Sequence, residues 1–156
     1  MAFLAGERIT AGRLNEEIPS VETTSYQGAS AGQTTSSTSY TSLSGDPAVT
    51  FVAPRSGKVT LRWGATTVCG DATTLSMMSI EVREGGTIGA GTVVLASDDT
   101  RAITHEGLED ENGAFEYVLP ALNEGATYNA RCTYKRFSGV STCTWARRWI
   151  SATSAQ

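Results

Sequence analysis

The chain has 156 residues, of which 40% are hydrophobic and 18% charged, with a formal net charge of -4 and a pI near 5.0. That length supports one packed core with appendages and leaves little room for a second domain. The acidic balance and the scatter of the 12 Lys and Arg, apart from Arg147-Arg148, argue against nucleic-acid binding, and no apolar run approaches the roughly 18 residues of a membrane span.

In chain order, the first element is MAFLAGERITAGRLNEEIPS. Its apolar start is cut by Gly6, Glu7 and Arg8 with no hydrophobic region behind them, so no secretory signal is expected. Thr10 is a helix cap for a short turn of helix whose apolar positions are Ala11, Leu14 and Ile18, and Pro19 ends it; Ile9, Leu14 and Ile18 are the expected anchoring residues. So short a helix, with Gly12 inside it and Glu16-Glu17 at its negative end, does not hold itself in water. It needs a surface to dock on, so residues 1–18 are expected to be an attachment segment. Residues 19–46 follow as a Ser/Thr/Gly-rich arm with a possible edge strand over 38–43.

From Pro47 the apolar period becomes two. Val49-Phe51-Ala53 and Val59-Leu61-Trp63-Ala65 flank the turn signal Pro54-Arg55-Ser56-Gly57 and are expected to pair as antiparallel strands. Met78-Ile80-Val82, Thr92 to Ala96, Phe115-Tyr117-Leu119, Tyr128 to Tyr134 and Cys143 to Trp149 continue the pattern between Gly-rich or acidic turns. The expectation is an all-β antiparallel sandwich over 47–152, with 153–156 as a tail.

Leu119-Pro-Ala-Leu122-Asn-Glu-Gly125-Ala-Thr-Tyr128 resembles the tyrosine corner of immunoglobulin-like and fibronectin type III domains, and Lys58-Val-Thr-Leu-Arg-Trp63 resembles their Trp-bearing strand. The resemblance implies structural roles for Trp63 and Tyr128. The long stretch between Trp63 and Phe115 keeps a jelly roll as the alternative.

Several residues carry possible chemistry. His105, the single histidine, lies in Thr-His-Glu-Gly with no nucleophile motif nearby and reads as a surface-loop residue. The glycines of Glu84-Gly-Gly-Thr-Ile-Gly-Ala-Gly91 lack the order of a phosphate loop and read as turns. Asp98, Asp99, Glu109 and Asp110 offer oxygen ligands for calcium without the alternating spacing of a calcium loop, so a solvated loop or an inter-subunit charge contact stands beside that reading. Cys132 and Cys143 flank an apparent hairpin loop and would face each other in one register, giving either a disulfide or buried thiols, with Cys69 unpaired. Unbroken alternation sets Trp145, Arg147 and Trp149 on one face, which suits core or subunit packing, or stacking on a sugar. No catalytic constellation emerges and no cofactor is expected.

Gly6-Glu-Arg-Ile9-Thr10-Ala11-Gly-Arg-Leu14-Asn15 resembles the start of many virion proteins of tailed bacteriophages, including tail, fibre and accessory surface proteins. Phe51-Val-Ala-Pro-Arg-Ser-Gly-Lys-Val59, Ile80-Glu-Val-Arg-Glu-Gly-Gly-Thr-Ile88, Gly125-Ala-Thr-Tyr128 and Arg147-Arg148 are similar to a small β-sandwich in such proteins of phages infecting actinobacteria. The resemblance implies a non-enzymatic virion structural protein assembled in the host cytoplasm. Its partners would be major capsid or tail proteins and further copies of itself, a trimer being expected, with neither nucleic acid nor membrane. A capsid decoration protein is the first expectation and a minor tail or tail-fibre protein the second. A carbohydrate-binding adhesin recognising a host-surface glycan is the alternative of another class.

Overall fold

The computed structural model describes residues 23–26 and 32–155. The expected N-terminal helix and the anchoring residues Ile9, Leu14 and Ile18 lie outside the described residues. Ten strands follow in order: β1 (Thr23–Tyr26), β2 (Gln33–Thr35), β3 (Ala48–Val52), β4 (Val59–Cys69), β5 (Leu75–Glu84), β6 (Val93–Leu95), β7 (Ile103–Glu106), β8 (Glu111–Leu119), β9 (Thr127–Ser138) and β10 (Cys143–Ser154). Among the described residues no helix is long and apolar enough to cross a membrane.

The strands form two antiparallel sheets. One has the order β1-β10-β4-β8, with β2 also on β10; the other has β3-β9-β5-β6, with β7 also on β5. Setting β2 and β7 aside, β1 pairs with β10, β3 with β9, β4 with β8 and β5 with β6. First meets last, second meets next-to-last, and so on inward, as in one long folded ribbon. Rolling that ribbon brings β10 against β4 and β9 against β5, which completes both sheets. This is the strand order of a jelly roll. The expected sandwich is present, and of its two arrangements the jelly roll describes it. The immunoglobulin arrangement does not, because β10 leaves the sheet of β9 and lies beside β4.

The same crossing corrects a local expectation. The turn at 54–57 does not join a hairpin: β3 pairs with β9 and β4 with β10 and β8, so the turn carries the chain from one sheet to the other. Gly57 makes this possible with a φ of 63°, and a Cβ there would stand 2.9 Å from the Leu122 carbonyl oxygen.

Alternation along the long strands fills the space between the sheets. Val59, Leu61 and Trp63 of β4 meet Met78, Ile80 and Val82 of β5 and Ala130, Cys132 and Tyr134 of β9 in one buried cluster. Trp63 stacks on Phe115 at 5.0 Å and Phe51 on Tyr128 at 5.9 Å. Burial of each such side chain contributes roughly 2–3 kcal/mol. Tyr128 also forms the expected corner, its hydroxyl accepting the Asn123 N–H at 3.1 Å.

The polar tract is part of this body. β1 and β2 both add to the edge of β10, so strands begin at Thr23, well ahead of Pro47. The edge strand expected over 38–43 is reduced to one bridge, Thr41 to Tyr134, with reciprocal backbone bonds of 2.9 Å. Arg136 N–H donates to Ser37 O at 2.7 Å, so the segment runs from the edge of one sheet to the edge of the other.

Candidate functional site: a groove around Trp149

The site originates in an irregularity of β10. Trp145 pairs with Thr67 and Ala146 with Thr66, but the next partners are Trp149 and Gly64. Two residues, Arg147 and Arg148, therefore stand against Ala65 alone, which is a β-bulge. Arg147 takes the left-handed conformation, φ 48°, at a position that favours glycine.

One extra residue reverses the parity of the strand. The expected stripe Trp145-Arg147-Trp149 is corrected: Trp145 and Arg148 point inward and are fully buried, whereas Arg147 is exposed and Trp149 lies on the outer face. Trp145 is a core residue, tilted against Tyr134 at 5.6 Å. Arg148 enters the core with its own partners. Its Nη1 donates to Asp46 Oδ1 at 2.6 Å, its Nη2 donates to Ser44 O at 3.3 Å, and its guanidinium lies 5.6 Å from the Tyr134 ring centre. Burial raises the Asp46 carboxyl to about 6, against the opposing pull of the Leu43 N–H and the Arg148 charge.

On the outer face, Trp149 packs over Gly64, where a Cβ would stand 2.5 Å from the indole Nε1. Tyr26 of β1 is its cross-strand neighbour and is 59% exposed. The two rings, Arg147 and the side chains of Thr66 and Asn112 line an open groove of about 370 Å³. Thr66 Oγ1 donates to Asn112 Oδ1 at 2.5 Å, which fixes the amide on the groove floor. The groove thus sets an aromatic wall, a cation and a fixed amide side by side, chemistry suited to holding a ligand.

The remaining candidates fall elsewhere. His105 is not a surface-loop residue. It belongs to β7, is only 4% exposed, and directs Nδ1 to Glu111 Oε2 at 2.9 Å and Nε2 to the Gly107 carbonyl at 3.1 Å. Alternation with Ile103 carries both residues inward. Asp98 caps a 3-10 turn by accepting the Thr100 N–H at 2.7 Å, and Asp99 pairs with Lys135 at 2.6 Å. Glu109 and Asp110 are exposed. Among the described residues no three His, Cys, Asp or Glu side chains converge as metal ligands.

The disulfide joins Cys69 to Cys143, which are register partners on β4 and β10. Of the two outcomes for Cys132 and Cys143 the mutual bond is not formed, because β9 and β10 lie in different sheets; Cys132 is a buried thiol whose pKa is raised by that burial, whereas Cys69, expected to be unpaired, is the partner of Cys143. The glycine turns at 85–91 are organised by Asn129, a residue the sequence does not single out. Its amide donates to Gly85 O at 2.9 Å and Ala90 O at 3.2 Å, and its carbonyl accepts from Gly89 N at 2.9 Å.

Tyr26, Thr66 and Asn112 are likewise absent from the sequence reading, since three strands distant in the chain bring them together. Gly64 within an otherwise bulky strand is the one local signal of a close approach.

No protein-family model matches the chain, and no curated protein matches it. Among solved structures, the T13 particle of infectious bursal disease virus is similar over 87% of this chain and 32% of that one, at 13% identity and a TM-score of 0.45. The VP2 subviral particle of the same virus is similar over 87% and 33%, at 15% identity and a TM-score of 0.45. The enzymatically active domain of bacteriophage CBA120 tailspike protein 4 is similar over 84% and 19%, at 12% identity and a TM-score of 0.33. The chain thus spans a third or less of the length of these structures.

Proposed function

We propose that this chain is a non-enzymatic structural protein of a tailed-bacteriophage virion, a decoration protein of the head surface attached through residues 1–18. One observation carries the reading. The segment that resembles the start of phage virion proteins, Gly6 to Asn15, precedes β1, a four-residue strand at the edge of the β10 sheet. A docking segment joined to a sheet edge is a means of mounting a compact module on a larger surface. The jelly roll supports the same reading, being an architecture of viral capsid and lectin domains, although fold alone does not assign a role. Self-association, with the trimer as first expectation, would repeat the attachment and strengthen it by avidity.

The test is location and copy number in purified particles. A particle reconstruction is expected to show density for the sandwich on the shell in proportion to the capsid subunits, and deletion of residues 1–18 is expected to leave a folded domain that no longer joins particles. A handful of copies confined to the tail would replace decoration with the tail or fibre reading. Undiminished incorporation of the deletion variant would reject the attachment segment.

A further inference from the structure

We propose that the groove around Trp149 binds saccharides bearing a carboxylate, with the sugar ring on the indole and its carboxylate on Arg147. This goes beyond the virion reading and does not depend on it.

Three observations converge. First, Trp149 is a large aromatic residue on the outer face of the sheet, held there because the bulge reverses the strand and because Gly64 leaves room beneath the ring. With Tyr26 alongside, it presents the kind of apolar wall on which the C–H face of a pyranose packs. Second, Thr66 and Asn112 supply fixed polar groups on the floor. The Asn112 carbonyl accepts from Thr66, so the group it has to offer an incoming hydroxyl or ring oxygen is its NH2 donor. Third, Arg147 occupies a left-handed backbone position that glycine would fill without strain. Among the described residues no hydrogen bond or ion pair engages its guanidinium, so the strained position presents an uncommitted cation at the rim. Strain held at a site with an unused charge points to a ligand that uses it. A carboxylate accepts two parallel N–H bonds from a guanidinium, which a neutral sugar does not. The groove, at about 370 Å³, is at the small end of ligand sites and suits a short stretch of a chain rather than a large buried ligand.

A protein partner would use the same aromatic residues and would meet the cation with a carboxylate of its own; the concave floor with its fixed amide favours the saccharide. The experiment therefore separates the two. The full chain is titrated with short oligogalacturonates and, as the uncharged control with the same ring, their methyl esters, by calorimetry and by tryptophan fluorescence. The acid form is expected to bind and the ester to bind about tenfold or more weakly, the factor of one charge-assisted contact. Arg147→Gly relieves the backbone and should melt no lower than the parent, yet lose the preference for the acid form; Arg147→Lys should retain part of it. Trp149→Ala should abolish binding of both forms. Equal binding of acid and ester, an Arg147→Gly variant that keeps the preference, or no binding of either form would each overturn the proposal. Loss of particle incorporation in Trp149→Ala with no saccharide binding by the parent would overturn it in favour of a protein interface.

Discussion

Trp149 and Gly64 face each other across the β10–β4 ladder with room for a hydrogen and nothing larger: a Cβ at Gly64 would stand 2.5 Å from Nε1 and 2.6 Å from Cε2 of the indole. The groove thus depends on a missing side chain as much as on those present. Gly64→Ala is expected to push the indole off the sheet and to destabilise by about 1–3 kcal/mol, the usual cost of overpacking. The check is urea unfolding together with the indole N–H resonance of Trp149. An unmoved resonance and an unchanged midpoint would reject the account.

The covalent link between β4 and β10 leads to a second expectation. Cys69 and Cys143 lie 74 residues apart, so their bond restricts a long loop in the unfolded chain. Reduction, or Cys143→Ser, should lower stability by on the order of 4 kcal/mol in the chain-entropy account. Alkylation read by mass spectrometry should leave the native protein unmodified and label Cys132 alone after unfolding without reductant. Rapid labelling of the native protein at Cys132 would contradict its burial.

Tyr128→Phe isolates the corner hydrogen bond, since phenylalanine retains the stacking with Phe51 while the Asn123 N–H loses its acceptor. A loss of about 1 kcal/mol is expected in the unfolding free energy. Unchanged stability would show that this bond does not help to hold the turn.

Asp46 links stability to pH. Its carboxyl titrates at 3.8 without the fold and at about 6 within it, so between these values the native state holds the extra proton. The stabilisation from this group is complete below the lower value and is lost as pH rises through the upper one. Between about pH 5 and about pH 7 the protein should lose on the order of 1 kcal/mol from this source, and Asp46→Asn should remove that part of the dependence. A dependence equal in the parent and the variant would place its origin in another group.

Much of the sandwich was legible because alternation is local: the cores of β3, β4, β5, β8, β9 and β10 all coincide with apolar residues at period two. Pairing was not, because Pro54-Arg55-Ser56-Gly57 is as good a signal for a crossing between sheets as for a hairpin. The same ambiguity misassigned the cysteines, since spacing along the chain does not say that β9 and β10 part company. Short strands without an apolar face, β1 and β2, gave no signal because their backbone pairing on β10 orders them. The groove was half legible. Trp149 and Arg147 stood out by residue type, but a bulge is a count of residues against a partner strand, and nothing within β10 alone reveals it.

The nested pairing of strands also sets an order of events. β10, the last of these ten strands in chain order, sits between β1 and β4 inside its sheet, so the other nine precede it in synthesis. Until it is inserted, β1 and β2 have no ladder to join and the buried faces of β4 remain open along a whole edge. A ribosome-bound chain lacking these residues would therefore be missing a middle, and the sheet can close only after translation has passed Ser154. A cell making this protein in quantity must carry each copy through that interval with an open β-edge exposed.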